Sequence, residues 1–108
     1  MSLELPNPIA AFFAAHNGQN AGAPAQYFAD GAVVRDEGRT IEGMVAIEKW
    51  KAETKRKYQH TIEPLASVEE DGKTVIIGRV TGNFPGSPVE LRFAFRVEGG
   101  RIASLDIH

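Results

Sequence analysis

Val89-Glu90-Leu91-Arg92-Phe93-Ala94-Phe95-Arg96-Val97 carries an apolar residue at every odd position and, Ala94 apart, a charged one at every even position. Side chains of an extended chain alternate between two faces, so this period of two specifies a strand with one core face and one wet or paired face. Gly99-Gly100 follows as a turn and returns the chain into a last strand, Arg101 to His108. Upstream, Phe84-Pro85-Gly86-Ser87-Pro88 makes a stiff turn whose prolines are incompatible with a central ladder. Before it lie two further strand-like runs, Gln59 to Val68 and Lys73 to Asn83, joined by the turn Glu70-Asp71-Gly72. The C-terminal half therefore reads as a meander.

The N-terminal half has a different period. Met44 to Lys57 spaces Met44, Ile47, Trp50 and Thr54 as one helix face, and Lys49/Glu53 and Glu53/Lys57 can pair on the other. Asn7-Pro8 suits a helix start and is followed by Ile9, Phe12, Phe13 and His16, with an end expected near Asn17-Gly18. A second short helix is predicted from Ala23 to Phe28 before Asp30-Gly31 turns the chain into a strand, Ala32 to Asp36. Glu37-Gly38 then makes a hairpin to Arg39 to Glu42, and Gly43 opens the long helix. Helices followed by a strand meander predict an α+β fold: three N-terminal helices packed on a curved antiparallel sheet.

At 108 residues, with 43% hydrophobic and 24% charged residues, the chain is expected to form one globular domain spanning 1–108. No cysteine is present, which excludes a disulfide framework and thiolate chemistry. Three histidines without close ligand spacing argue against a metal site. The start lacks a basic segment before its apolar run and no stretch approaches the ~20 apolar residues of a membrane span, so a cytoplasmic protein without membrane contact is expected. A net charge of −2 gives no general attraction for nucleic acid. Lys49, Lys51, Lys55, Arg56 and Lys57 interleave with Glu48 and Glu53, which reads as a solvated helix face.

The segments Ala14-Ala15-His16-Asn17, Tyr27-Phe28-Ala29-Asp30-Gly31-Ala32-Val33-Val34-Arg35-Asp36, Gly43 to Trp50, and Gly82-Asn83-Phe84-Pro85-Gly86-Ser87-Pro88 through Ile107 together resemble the nuclear transport factor two-like superfamily, in its SnoaL-like and ketosteroid-isomerase-like branch. The resemblance covers nearly the whole chain. It implies a cone-like, cystatin-like roll enclosing an apolar pocket, no cofactor, and a carboxylate at the end of the first strand that shuttles a proton. Asp36 holds the matching position. The isomerase-like members stabilise an enolate with a tyrosine on the first helix and a protonated aspartic acid on a later strand; the matching residues here are Phe12 and Leu91. Both donors are absent, and oxyanion donors are usually the largest single catalytic contribution.

Asp36 read alone is a turn aspartate bonded to nearby backbone N–H groups; read with the resemblance it is a general base. His60 is the second catalytic candidate. It shares a strand face with Tyr58 and Ile62, and on an inward face it could pair with Asp36 or donate to an oxyanion, whereas on an outward one it is an edge histidine. His16 ends a helix, where a cation suits the dipole, and His108 is terminal. Pocket-lining residues are expected among Phe12, Phe28, Trp50, Tyr58, Leu91, Phe93, Phe95 and Leu105, which serve equally well as core.

Three functions stay open. The first is a cofactor-independent isomerase, cyclase or lyase acting on a small hydrophobic carbonyl compound with Asp36 as base. The second is a non-catalytic domain that binds a small apolar ligand or serves chiefly to dimerise. The third is a limonene-type epoxide hydrolase, which needs an Asp-Arg-Asp set; Asp36, Arg92 and Asp106 supply the types, but alternation turns the last two away from Leu91, Phe93 and Leu105. A homodimer is expected through the sheet face bearing Arg92, Arg96 and Asp106.

Overall fold

The computed structural model describes residues 4–18 and 23–108, the side chain of Tyr58 excepted. The order is α1 (Asn7–His16), β1 (Phe28–Asp36), β2 (Arg39–Glu42), α2 (Met44–Tyr58), β3 (Thr61–Glu70), β4 (Lys73–Thr81), β5 (Val89–Glu98) and β6 (Arg101–Ile107). The six strands form one curved sheet in the order β2-β1-β6-β5-β4-β3, with the two helices packed on it.

Three expectations are corrected. The described residues hold two α-helices rather than three, because the segment from Ala23 to Phe28 forms only the 3₁₀ turn Pro24–Gln26. Tyr27 N–H closes that turn on Pro24, but the Tyr27 carbonyl accepts from Ile102 N–H of β6 at 2.7 Å, so the backbone is taken by the sheet before a second helical turn can form. For the same reason β1 starts at Phe28, earlier than the predicted Ala32. The sheet is also not wholly antiparallel: β1 lies between β2 and β6 and runs parallel to β6, with Val34 beside Leu105.

The core is centred on Phe12. Its ring lies 5.2–6.5 Å from those of Phe13, Tyr27, Phe28, Phe93 and Phe95, mostly edge-to-face, the arrangement aromatic quadrupoles favour. Ile9, Phe12, Phe13 and His16 share the buried face of α1, as a stripe at i, i+3, i+4 and i+7 requires. Gly78, at the middle of β4, has no room for a side chain: an added Cβ would meet Ile62 and Phe93 at 2.9 Å each. The sheet can curve closely over these two residues only because that position is glycine. None of the described helices is long and apolar enough to cross a membrane.

Candidate functional site

Asp36 is the last residue of β1, and Glu37 and Gly38 after it both take positive φ (54° and 76°). That is the twist of a two-residue hairpin, and it returns the chain at once into β2, where Arg39 pairs with Asp36. The carboxylate is therefore fixed at a strand end. Trp50, one turn after Ile47 on the buried side of α2, donates its indole N–H to Asp36 Oδ2 at 3.0 Å. Burial raises the Asp36 pKa, the Trp50 bond opposes part of that rise, and Glu37 and Arg39 add small effects of opposite sign.

Asp36 faces a cavity of ≈ 340 Å³. Its helical wall is Phe12 and His16 of α1 with Trp50 and Thr54 of α2; the sheet contributes Ile62, Val80, Val89, Leu91, Phe93 and Ile107. Phe84 and Pro85, from the loop between β4 and β5, complete it. That loop is pinned by Gly82 N–H on the Ser87 hydroxyl, 2.9 Å.

Two histidines form the other polar part of the wall. His16 and His60 are both 6% exposed, and their Nε2 atoms are 2.6 Å apart. One ring must donate and the other accept, so a neutral pair satisfies the contact and a doubly protonated pair does not. Burial pushes His16 down to about 2, helped by His60, Lys51 and Lys55. It pushes His60 down to about 4, helped by Lys55 and Lys51. Asn17 locks this corner together, since its side-chain amide donates to Ile62 O and accepts from Ile62 N–H, both at 2.8 Å. Lys55 Nζ donates to the His60 carbonyl. Lys51 Nζ is buried and has no hydrogen-bond partner among the described residues. It lies 4.3 Å from the centroid of the Phe12 ring and 5.7 Å from that of Tyr27, and burial lowers it to about 8. A π-face compensates only part of what a buried ammonium loses on leaving water.

Of the residues expected at the site, Asp36, His60, Phe12, Trp50, Leu91 and Phe93 come together around the cavity. Phe28, Phe95 and Leu105 are fully buried in the core and do not line it; the Tyr58 side chain lies outside the described residues. His60 precedes β3 instead of sitting within it and meets His16, not Asp36. His16 is a wall residue, not simply a helix-end cation, and its place i+4 from Phe12 on a buried stripe was the available signal. The lysine-rich run is not uniformly solvated either: Lys49, Arg56 and Lys57 are exposed, but Lys51 turns inward. Arg92 pairs with Glu70 and Asp106 with Arg35 and Lys73. Neither lines the cavity, so the Asp-Arg-Asp set is not assembled around it. Among the described residues no group of three or more His, Asp or Glu comes together as a metal-ligand set.

Residues 9–105 match the family model of the SnoaL-like domain. A candidate polyketide cyclase from Sinorhizobium meliloti is similar at 38% identity over 96% of this chain and 95% of its own, with a TM-score of 0.90. A protein of ketosteroid isomerase-like fold from Catenulispora acidiphila, solved in complex with trimethylamine, is similar at 23% identity over 97% of this chain and 86% of its own, TM-score 0.76. A nuclear transport factor two-like protein from Cytophaga hutchinsonii is similar at 18% identity over 100% and 93%, TM-score 0.72; these last two bear on the fold alone. No curated protein matches the chain significantly.

Proposed function

The chain belongs to the SnoaL-like domain family, and from that premise we propose that it is a cofactor-independent isomerase, cyclase or lyase acting on a small hydrophobic carbonyl compound, with Asp36 as general base. The observation that carries this reading is the Asp36 carboxylate, facing an otherwise mostly apolar cavity and held in one orientation by the Trp50 N–H. A carboxylate whose pKa burial has raised is a stronger base than one in water, and a shuttle that must both take and return a proton works best when its pKa lies nearer the working pH. Asp36 takes a proton from the carbon beside the carbonyl, and the C–H electron pair becomes the C=C bond of an enolate as the carbonyl π pair moves to oxygen. Collapse of the enolate returns that proton to another carbon, expels a leaving group, or closes a ring by attack on an internal carbonyl. The His16–His60 pair and the Thr54 hydroxyl are the other polar groups on the wall that an oxygen of the substrate could meet.

The test needs no named substrate. Small cyclic ketones and diketones incubated with the protein in D₂O should exchange the protons beside their carbonyl groups, and Asp36→Asn should abolish the exchange. A carbon-detected NMR titration should place the Asp36 carboxyl above the ordinary value of about 3.9. An ordinary pKa with no exchange on any ketone would overturn the reading.

The second reading is a non-catalytic pocket that binds a small apolar ligand, or a domain that chiefly dimerises through the face bearing Arg92, Arg96 and Asp106. It is favoured by one observation: Phe12 and Leu91, at the positions of the isomerase-like donors, are both apolar walls of the cavity. Ligand-induced melting shifts without exchange, or light scattering well above the 11.7 kDa chain mass, would support it.

A further inference from the structure

The cavity has two unlike polar ends. Asp36 and Glu37, on the β1–β2 hairpin, make one, and His16 and His60, in contact with each other, make the other. α2 spans both, because Trp50 holds Asp36 and Lys55 holds the His60 carbonyl. Five residues separate these anchors, which is roughly 7.5 Å along a helix axis. Between them the cavity surface is Phe12, Phe93, Leu91 and their apolar neighbours, with the Thr54 hydroxyl one turn beyond Trp50.

Two lysines of α2, Lys51 and Lys55, add positive charge beside the histidine end. Lys51 and Lys55 stand close enough to depress both imidazoles. No carboxylate among the described residues makes an ion pair with either lysine. Buried charge is normally paired, yet here the carboxylates on the cavity wall, Asp36 and Glu37, belong to the other end. An apolar neutral ligand would gain nothing from this arrangement, since a few convergent polar groups in an apolar cavity serve to fix the orientation of a polar group on the ligand. A bound anion would supply the missing counter-charge.

Resting on the reading of Asp36 as the base, we propose that the substrate of this cavity is an apolar carboxylate: a small ring or chain compound whose carboxylate docks against His16 and His60, in the field of Lys51 and Lys55, and whose acidic carbon–hydrogen lies some 7 Å away at Asp36. The carbonyl beside that carbon then falls to the Thr54 hydroxyl. A full negative charge at the histidines favours their protonated form, so binding takes up a proton. The charged and titratable groups around this end are His16 of α1, Lys51 and Lys55 of α2 and His60 before β3, with the ring of Tyr27 beside Lys51 and its hydroxyl pushed up to about 12 by burial and so neutral. The cavity surface of β3 to β6 is apolar. Affinity for the anion therefore rises as pH falls from about 8 toward 5.5, and it falls above about 8 as Lys51 loses its charge.

The test compares 1-naphthoate with its neutral isostere 1-naphthamide by titration calorimetry at pH 6, 7.5 and 9. The proposal requires naphthoate to bind at least tenfold tighter at pH 6, with net proton uptake seen as a buffer-dependent enthalpy, and the preference to shrink severalfold by pH 9. Lys51→Met and His60→Gln should each reduce the ratio of naphthoate to naphthamide affinity, and Asp36→Asn should retain that ratio. Equal affinities, tighter naphthamide, or no binding of either probe at millimolar concentration overturns the proposal. Loss of the preference while Asp36-dependent proton exchange on neutral ketones persists overturns the anion and leaves the base in place. Retention of the preference with no exchange does the reverse.

Discussion

The two polar ends of the cavity meet the same physical demand in opposite ways. Each puts a titratable group into an apolar wall, and burial drives each toward neutrality, raising the carboxyl of Asp36 and lowering the imidazoles of His16 and His60. Asp36 is half-buried and has one neutral donor, so it keeps a path to solvent and can change charge. The histidines have each other, at 2.6 Å, and two cations behind them. That makes the carboxylate end suited to moving a proton and the histidine end suited to holding a fixed, neutral state until a ligand changes its charge balance. Environments that push titratable groups apart in this way assign different roles to similar chemistry.

The sharpest break of this comparison is Asp36→Asn. Loss of a general base typically costs 10²–10⁴ in rate, and Glu37, the other carboxylate at that end, is exposed on the hairpin turn and not held by Trp50. The amide keeps an oxygen for the Trp50 N–H and removes a buried charge, so the melting temperature should not fall. A variant that melts lower and still exchanges ketone protons would return Asp36 to the role of a turn residue.

Next comes acid. His16 and His60, at about 2 and about 4 against an ordinary 6.5, are neutral in the folded chain where the unfolded chain binds protons. Between pH 6.5 and 4 the unfolded state thus holds more protons, and stability that is full above about 6.5 is lost as pH falls. Each fully buried histidine contributes up to about 1.4 kcal/mol per pH unit. Asp36, whose raised pKa gives the opposite sign, offsets a small part. Urea unfolding at pH 7, 6, 5 and 4.5 should show this slope, and His16→Asn should reduce it by about one proton; an unchanged slope would mean that the pair is hydrated and titrates normally.

A smaller effect should confine itself to one end. Asn17→Ala removes both 2.8 Å bonds to the Ile62 backbone and should cost about 1–2 kcal/mol, since these groups are only part-buried and water can replace the amide. It should loosen the histidines, raising their pKa values by NMR, without moving that of Asp36. A shift at Asp36 would show that the two ends are coupled.

How much of this was legible depended on how local the cause was. Val89 to Val97, the Glu37-Gly38 hairpin and the Ile47/Trp50/Thr54 stripe are specified by neighbours a few residues away, and all stand within a residue or two of where pattern placed them. Asp36 was reachable because a strand end and a hairpin fix it, and the resemblance supplied its role. The helix expected from Ala23 to Phe28 does not form because a carbonyl committed to β6, some 75 residues on, overrides a helical period. The His16–His60 contact joins residues 44 apart, and no local rule announces such a pair. Lys51 is illegible for a related reason: a lysine among charged neighbours reads as solvated, and its contact with the Phe12 ring joins residues on two different helices.

The smallest expected effect separates orientation from burial at the carboxylate end. Trp50→Phe keeps an aromatic ring on the wall but removes the N–H that Asp36 accepts at 3.0 Å. A hydrogen bond to the charged form favours that form, so its loss should raise the Asp36 pKa further. The rise should stay below about one unit, or roughly 1.4 kcal/mol, because the bond is single and the donor neutral. Ketone-proton exchange should survive with the acid limb of its pH profile moved up by the same amount, since the base is still present and only its ionisation has shifted. The histidine end, one to two turns along α2, should keep its NMR pKa values. A downward shift at Asp36 would mean that opening the wall to water outweighs the lost bond, and the orientation of the base would then be set by the β1–β2 hairpin alone.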